Sequence, residues 1–563
     1  MKFVSLLDIQ IDGELKMRAG QNYARLHRDE FRPEVIFRDQ EYSWPADFEG
    51  RALLALTVLA QTLNVAGANA HAIMRQLPSH LNSQGYMGPK LPKGLHDEQC
   101  LSGHGWLLRG LMEYYLWCGN NVAQDMAEGI VNKLFLPLRG AYEQYPLDPG
   151  SRKGGGEAIG SRADVLDGWR LSTDVGCAFI PIDGLSQVYC VMPSNDLRLL
   201  LVEMITRFTE ADKKGLQMQT HATLSALRGV LRFYEATRLS EYLDIVQETF
   251  DLYLREGITE NNENYNWFGR PEWTEPCAVV DSFMLAMGLW KHLGDEKYLE
   301  LAQEIYYNGL GYEQRPNGGF GCNSCSGAQD AFVKPVEELF EAWWCCSMRG
   351  GEGLSRAAES IWAYRNFKDK GESTPIAELS VLFYFNNTAH IELSVGKLEI
   401  QMRTEYPYDG QIDIAILESQ VTRSVRLRFF IPDWVAEDQI ALTQNRAPVA
   451  GERKNGFYEA LLQLESGDKL FLSFPITLHT RPTRNVHSLP GYQTLRHGPM
   501  ILGTRMRQRP VVVENPKRLA YFGHAVYRDK TADFSLAPIN DLINLEPKDA
   551  VKDQRQILFA VKP

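Results

Sequence analysis

From about residue 50 to 365 the chain repeats one construction: a helix that is apolar nearly all round, followed by a helix with a single apolar face. Residues 50–63 (GRALLALTVLAQTL) and 104–118 (HGWLLRGLMEYYLWC) are of the first kind, and 123–136 is of the second. Residues 197–209, 221–237, 241–255, 277–293 and 296–310 continue the series, and a further helix begins near Cys345 and runs to about Tyr364. Gly119, Gly257, Gly294 and Gly311 stand where a glycine ends a helix. Two one-faced segments, YLDIVQETF from Tyr242 and YLELAQEIY from Tyr298, are similar and lie 56 residues apart. A helix that is apolar all round must be surrounded, and a one-faced helix must cover something. Their alternation predicts a closed α/α barrel or a solenoid. An irregular helical domain is the alternative.

From about residue 376 the period changes to two. Residues 391–395 (IELSV), 398–402 (LEIQM), 412–416 (IDIAI) and 425–429 (VRLRF) alternate cleanly, and 470–474, 500–503 and 511–513 are shorter apolar runs. This predicts one or two antiparallel β-sandwiches. Few candidate catalytic groups cluster there, so the role expected of this part is scaffolding. The division read from these patterns is a barrel over 1–370, a β-sandwich over 371–485 and a second β-rich domain over 486–563. Residues 76–100, 145–195 and 312–332 read as long loops. Gly154-Gly155-Gly156, in the second, has no Lys-Ser/Thr after it and reads as flexible loop, not a phosphate cradle. Cys322-x-x-Cys325, in the third, lacks two further ligands and reads as structural.

A net charge of -12 argues against nucleic acid and anionic membrane as partners. No apolar stretch approaches the roughly twenty residues that span a bilayer. The opening MKFVSLLDIQIDG has one lysine and an apolar run that Asp8 ends, too short for a signal peptide. Nine cysteines, an odd number in a chain of 563 residues, fit reduced thiols in a cytoplasmic protein.

Chemistry concentrates in Trp343-Trp344-Cys345-Cys346 and in Glu275-Pro276-Cys277. Together they offer three thiolates and a carboxylate, a donor set that suits four-coordinate zinc. Cysteines are also common small core residues, and spacing alone leaves both readings open. His104, His221, Cys277 and the Cys345-Cys346 pair each stand at the predicted start of an apolar helix. In an α/α barrel the inner helices run parallel, so these starts would meet on one rim. Helix N-termini favour thiolates there. Each member has a plainer alternative: His104 and His221 as core histidines, Glu263 as a solvated loop acid, Trp343 and Trp344 as core. Asp47, Glu49 and Arg51 read as helix-cap and surface charges, with binding of substrate hydroxyls as the alternative.

These residues resemble the β-L-arabinofuranosidase family of glycoside hydrolases that uses a zinc-bound cysteine as nucleophile. Glu275-Pro276-Cys277-Ala278 is similar to its Glu-Thr-Cys-Ala, and Cys345-Cys346 to its double cysteine. Ser102-Gly103-His104 resembles its Gly-His helix, and Leu495-Arg496-His497-Gly498-Pro499 its Arg-Gly-Pro motif. The resemblance implies an (α/α)6 barrel with C-terminal β-sandwiches, and Zn2+ held by Glu275, Cys277, Cys345 and Cys346. It implies Cys345 as nucleophile, Glu263 as acid/base, and His104 and His221 beside the sugar; Trp344, as a platform for a sugar face, and Tyr265 are the other substrate contacts expected. The activity implied is retaining release of a terminal β-L-arabinofuranose-like sugar from a pentofuranoside, with a homodimer left open. The sequence departs from the family in three places. Asp183-Gly184-Leu185-Ser186 stands where a second Gly-His is usual, Asn261-Asn262-Glu263-Asn264-Tyr265 replaces His-Gly-Glu-Ala-Phe, and Ser347-Met348-Arg349-Gly350 replaces a Pro-rich turn. The competing readings are a zinc-stabilised carbohydrate-binding protein of the same fold, and a sugar lyase or isomerase.

Overall fold

The computed structural model describes residues 1–37, 44–152, 160–327, 330–367, 377–506, 509–529 and 534–560. The glycine triplet 154–156 lies outside them. Among the described residues twelve helices have eight residues or more. In chain order they are α1 (Gly13–Arg25), α2 (Asp47–Leu63), α3 (Ala68–Gln76), α4 (Glu98–Cys118), α5 (Asn121–Ile130) and α6 (Pro181–Val191). There follow α7 (Asn195–Glu210), α8 (Thr220–Thr237), α9 (Ser240–Glu256), α10 (Pro276–Leu293), α11 (Glu296–Glu304) and α12 (Cys346–Glu359).

The even-numbered helices close a ring: α2 packs on α4, α4 on α6, α6 on α8, α8 on α10, α10 on α12, and α12 back on α2. The odd-numbered helices cover them from outside, as α3 covers α2 and α9 covers α8. This is an α/α barrel of six helix pairs, the closed form of the alternation in the sequence. Small residues let the inner helices approach. A Cβ on Gly50 would lie 2.3 Å from the Leu107 backbone nitrogen, and one on Gly229 would lie 2.3 Å from that of Asp183. Nothing larger than hydrogen fits at either point.

The C-terminal part is β-rich. One sheet has six strands, among them Trp362–Asn366, Ala377–Val381, Val425–Phe430 and Phe457–Leu462. A second has seven, among them Asn387–Leu393, Gly396–Thr404, Gln411–Ser419 and Lys469–Ser473. Pairing is antiparallel except for Ala377–Val381 on Val425–Phe430. The chain's first residues join both sheets, Lys2–Phe3 in the first and Ile9–Ile11 in the second. The buried residues of both sheets share one apolar cluster with the barrel. A third sheet, built on Leu478–Pro482, Tyr492–His497 and Met500–Arg505, follows. Val511–Val513, read as an apolar run of this region, forms no strand.

The third sheet is docked on the barrel by buried charge. Glu304, at the end of α11, meets Arg481, Arg484 at 3.3 Å and Arg496 at 2.9 Å. Asn308 donates to the Pro499 carbonyl at 2.9 Å. The Arg496–Pro499 motif therefore joins two parts of the chain. The long segment 145–195 is not one loop: it holds strands Arg162–Leu166 and Trp169–Ser172 and the inner helix α6.

Candidate metal centre

Two neighbouring inner helices carry the donors at their N-terminal ends. Glu275 is the residue before α10, Pro276 fixes its first turn, and Cys277 follows. Cys345 is the residue before α12, and Cys346 opens it. The ligand atoms of Glu275, Cys277, Cys345 and Cys346 all lie within 4.8 Å of one another. The Cys277 and Cys346 sulfurs are 3.8 Å apart, and those of Cys345 and Cys346 are 3.3 Å apart. Sulfurs at about 2.3 Å from a tetrahedral ion stand about 3.8 Å from each other. The four groups can hold one metal ion.

Their surroundings are arranged for anions. Arg51 on α2 donates to the Cys277 sulfur at 3.7 Å and is held by Asp47 at 2.9 Å. Its guanidinium lies over the Trp106 ring, 4.1 Å from the centroid. Gln219 donates to a Glu275 carboxyl oxygen at 3.2 Å, and Asn264 accepts the Glu275 N–H at 3.0 Å. Burial pushes the Cys277 and Cys346 thiols up, well above the usual range, and the Glu275 carboxyl up to about 8. Left to themselves these groups keep their protons. A cation that binds them as anions offsets the cost of burying charge, and the donor set is one that soft divalent ions take.

A cavity of about 370 Å³ opens on this cluster. Cys345, Trp344, His221, Gln219, Asp174 and Arg51 are among its walls. Asp47 and Arg51, expected as cap and surface charges, are buried there because each neutralises the other. Trp344 packs edge-on against Trp343, with centroids 5.8 Å apart. His221 pairs through Nδ1 with Asp281 at 3.0 Å and stacks on Trp106. Its Nε2 is buried and has no protein partner. Burial holds the imidazole down at about 4, so it is neutral at pH 7. With the proton on Nδ1 toward the carboxylate, Nε2 is an acceptor for a hydroxyl in the cavity.

Beneath the cavity lies a buried network of charges that sequence reading missed. Asp281 of α10 takes Arg228 of α8 at 2.6 Å and Arg349 of α12. Arg109 of α4 takes Glu352 of α12 at 2.8 Å and Asp183 of α6 at 3.2 Å. Five inner helices thus each place a charge on the barrel axis. The available signal was a charged residue inside helices otherwise apolar all round, such as Arg109 in HGWLLRGLMEYYLWC.

The remaining expected site residues fall elsewhere. His104 lies in the second turn of α4, because Asp97 caps the helix seven residues earlier. Its Nε2 accepts the Met87 N–H at 3.0 Å and its Nδ1 meets the Cys100 carbonyl at 2.7 Å, so both nitrogens are used within the protein. Glu263 is wholly buried and does not line the cavity. Its carboxylate accepts from Asn323 at 2.6 Å, from Thr274 at 2.9 Å and from Asn261. Burial holds it above the usual carboxylate range, against the opposing pull of these donors and the neighbouring Glu313 carboxyl. Glu313, buried beside it, is likewise pushed up by burial and by the neighbouring Glu263 charge, well above the carboxylate range. Tyr265 is buried with its ring edge-on to His487, also off the cavity. Cys322 does line the cavity, whereas Cys325 meets the Asn264 carbonyl at 3.8 Å.

Residues 378–476 match the family model described as the middle domain of GH127 β-L-arabinofuranosidase. A solved glycoside hydrolase is similar over 100% of this chain and 97% of its own, with a TM-score of 0.71 at 11% identity. A GH127 β-arabinofuranosidase is similar over 100% and 99%, with a TM-score of 0.65 at 12% identity. A GH127 β-L-arabinofuranosidase from Geobacillus stearothermophilus T6 is similar over 98% and 95%, with a TM-score of 0.66 at 13% identity. No curated protein sequence matches the chain. The match by sequence is thus confined to residues 378–476, and the likeness over the whole chain is one of fold. Among the described residues no helix is long and apolar enough to cross a membrane.

Proposed function

We propose that the chain is a retaining glycoside hydrolase that releases a terminal furanose of the β-L-arabinofuranose type, with Cys345 as nucleophile. One observation carries this reading. Of the three clustered thiols, Cys277 and Cys346 are buried, while Cys345 is partly exposed in the cavity wall. Glu275, Cys277, Cys345 and Cys346 would hold zinc, and zinc when bound keeps the Cys345 sulfur ionised at neutral pH. The thiolate forms a C–S bond to the anomeric carbon as the glycosidic C–O bond breaks. Water then takes the sugar and the thiolate returns. The His221 Nε2 accepts a sugar hydroxyl, and Trp344 offers an apolar face to the ring. Arg51 keeps the cluster's excess negative charge balanced. The free thiols of all nine cysteines fit a reducing, cytoplasmic setting.

A second reading, a zinc-stabilised carbohydrate-binding protein, is favoured by the seclusion of Glu263. A panel of nitrophenyl furanosides and pyranosides, run beside metal analysis, separates the two. The proposal expects about one zinc per chain and turnover of a furanoside. Bound zinc with sugar binding but no turnover would support the second reading and overturn the first.

A further inference from the structure

A second cavity, of about 590 Å³, lies in the β-rich part and shares no wall residue with the one on the metal cluster. One wall comes from the second sheet, where Gln411 and Ser473 stand opposite each other on paired strands. The other comes from the third sheet. There His497 ends Tyr492–His497, and Tyr521 faces Tyr527 across the antiparallel strands Leu519–Tyr521 and Tyr527–Asp529. His497 is buried and ties the walls together. Its Nε2–H donates to the Tyr408 carbonyl at 3.1 Å, and its Nδ1 accepts the Tyr527 hydroxyl at 2.8 Å. The Tyr521 ring lies parallel to this fixed imidazole, at 7° with centroids 5.7 Å apart, yet Tyr521 is 52% exposed. An aromatic ring is thus held in one orientation in the wall of an open cleft.

We propose that this cleft binds a neutral saccharide chain. The chemistry of its walls excludes other ligands. No lysine or arginine lines it, so no cation is there to balance an anion. Asp409 is the one carboxylate in the lining and already accepts the Gln411 N–H at 2.9 Å, so a metal ion lacks a second acidic ligand. A wholly apolar ligand would cover the Gln411 amide and the Ser473 and Thr477 hydroxyls, which make no hydrogen bond to other described residues. A sugar meets both demands: its C–H face covers the Tyr521 ring, and its hydroxyls pair with the amide and hydroxyl groups around it. Continuity favours a chain over a single sugar. Tyr408 also lines another hollow, of about 160 Å³, where the Tyr307 hydroxyl is buried with no partner among the described residues. The two hollows meet at Tyr408 and offer room for successive sugars.

This site does not depend on the chemistry of the barrel. The test measures binding of an arabino-oligosaccharide and a xylo-oligosaccharide to the full chain by calorimetry and saturation-transfer NMR. Tyr521→Ala, Tyr521→Phe and Gln411→Ala are compared with Trp344→Ala in the other cavity. Tyr521→Ala is expected to weaken binding of at least one of the two chains about five- to tenfold and Gln411→Ala a few-fold, while Tyr521→Phe keeps it. All three should hydrolyse a nitrophenyl furanoside like the wild type and melt at its temperature, since both side chains are exposed. No binding by the wild type, unchanged binding in Tyr521→Ala and Gln411→Ala, or binding lost in Trp344→Ala alone would overturn the proposal. So would a Tyr521→Ala chain that changes its oligomeric mass in light scattering yet binds saccharide as before, which would make the cleft a contact between copies. Saccharide binding with the expected dependence but no furanoside turnover would overturn the glycosidase reading and leave this site standing.

Discussion

At the residue scale the centre depends on three sulfurs with different duties. Under the proposed mechanism Cys277, buried and pinned by Arg51, would anchor the ion, and Cys345, which faces the cavity, would react. Cys345→Ala is expected to abolish turnover, whereas Cys277→Ala is expected to lose zinc and lower the melting temperature more than Cys345→Ala does. Metal analysis with thermal denaturation checks this, and equal metal loss and equal melting shifts would count against it. His221 offers one hydrogen bond through Nε2. Its replacement by Phe should cost roughly tenfold in kcat/KM, seen in steady-state kinetics; unchanged kinetics would remove it from the site. The four donors were legible in the sequence because Glu-x-Cys and Cys-Cys are unusual pairs. The placements of His104 and Glu263 were not. Whether a side chain faces a cavity is decided by its neighbours: Met87 for His104, Asn323 and Thr274 for Glu263.

At the element scale the strong periodicities held. Residues 221–237 and 277–293 were read one residue short at their starts, and the ring of inner helices follows from their all-round apolarity. The reading failed where packing overrides pattern. Helix α6 begins with Pro181 and carries Asp183 and Gly184, so it looked like loop; in the barrel Asp183 is held by Arg109 and Arg228, and Gly184 lies against Gly105. The last inner helix stops at Glu359, short of Tyr364, because Trp362–Asn366 is drawn into the first sheet. Close helix approach gives a direct test. Gly229→Ala puts a methyl group 2.3 Å from the Asp183 nitrogen and must separate α6 from α8. The expected cost is about 1–3 kcal/mol in denaturant unfolding; a neutral result would mean that the helices pack more loosely than described.

At the scale of the whole molecule, the barrel and the third sheet are joined through Glu304. Burial alone would raise its carboxyl, but Arg496, Arg484 and Arg481 outweigh that and bring it down to about 2 from 4.5. A depressed carboxyl contributes stability above its unfolded value and loses it as pH falls through the folded one. Stability should therefore decline from about pH 4.5 toward 2 by a few kcal/mol. Calorimetry between pH 5 and 3 should show a flatter decline for Glu304→Gln; the same slope in both would place the acid-sensitive joint elsewhere. The overall architecture was visible in the change of period near residue 376, but this joint was not, since it unites residues 304, 481, 484 and 496 that no local pattern connects. The central claim, that the rim of this barrel turns a cysteine into a sugar nucleophile, is tested most directly by peptide mass spectrometry after exposure to a furanose-configured cyclophellitol. The account predicts a single adduct on Cys345 that disappears after zinc is chelated. A label on a carboxylate, or hydrolysis with Cys345 unlabelled, would contradict it.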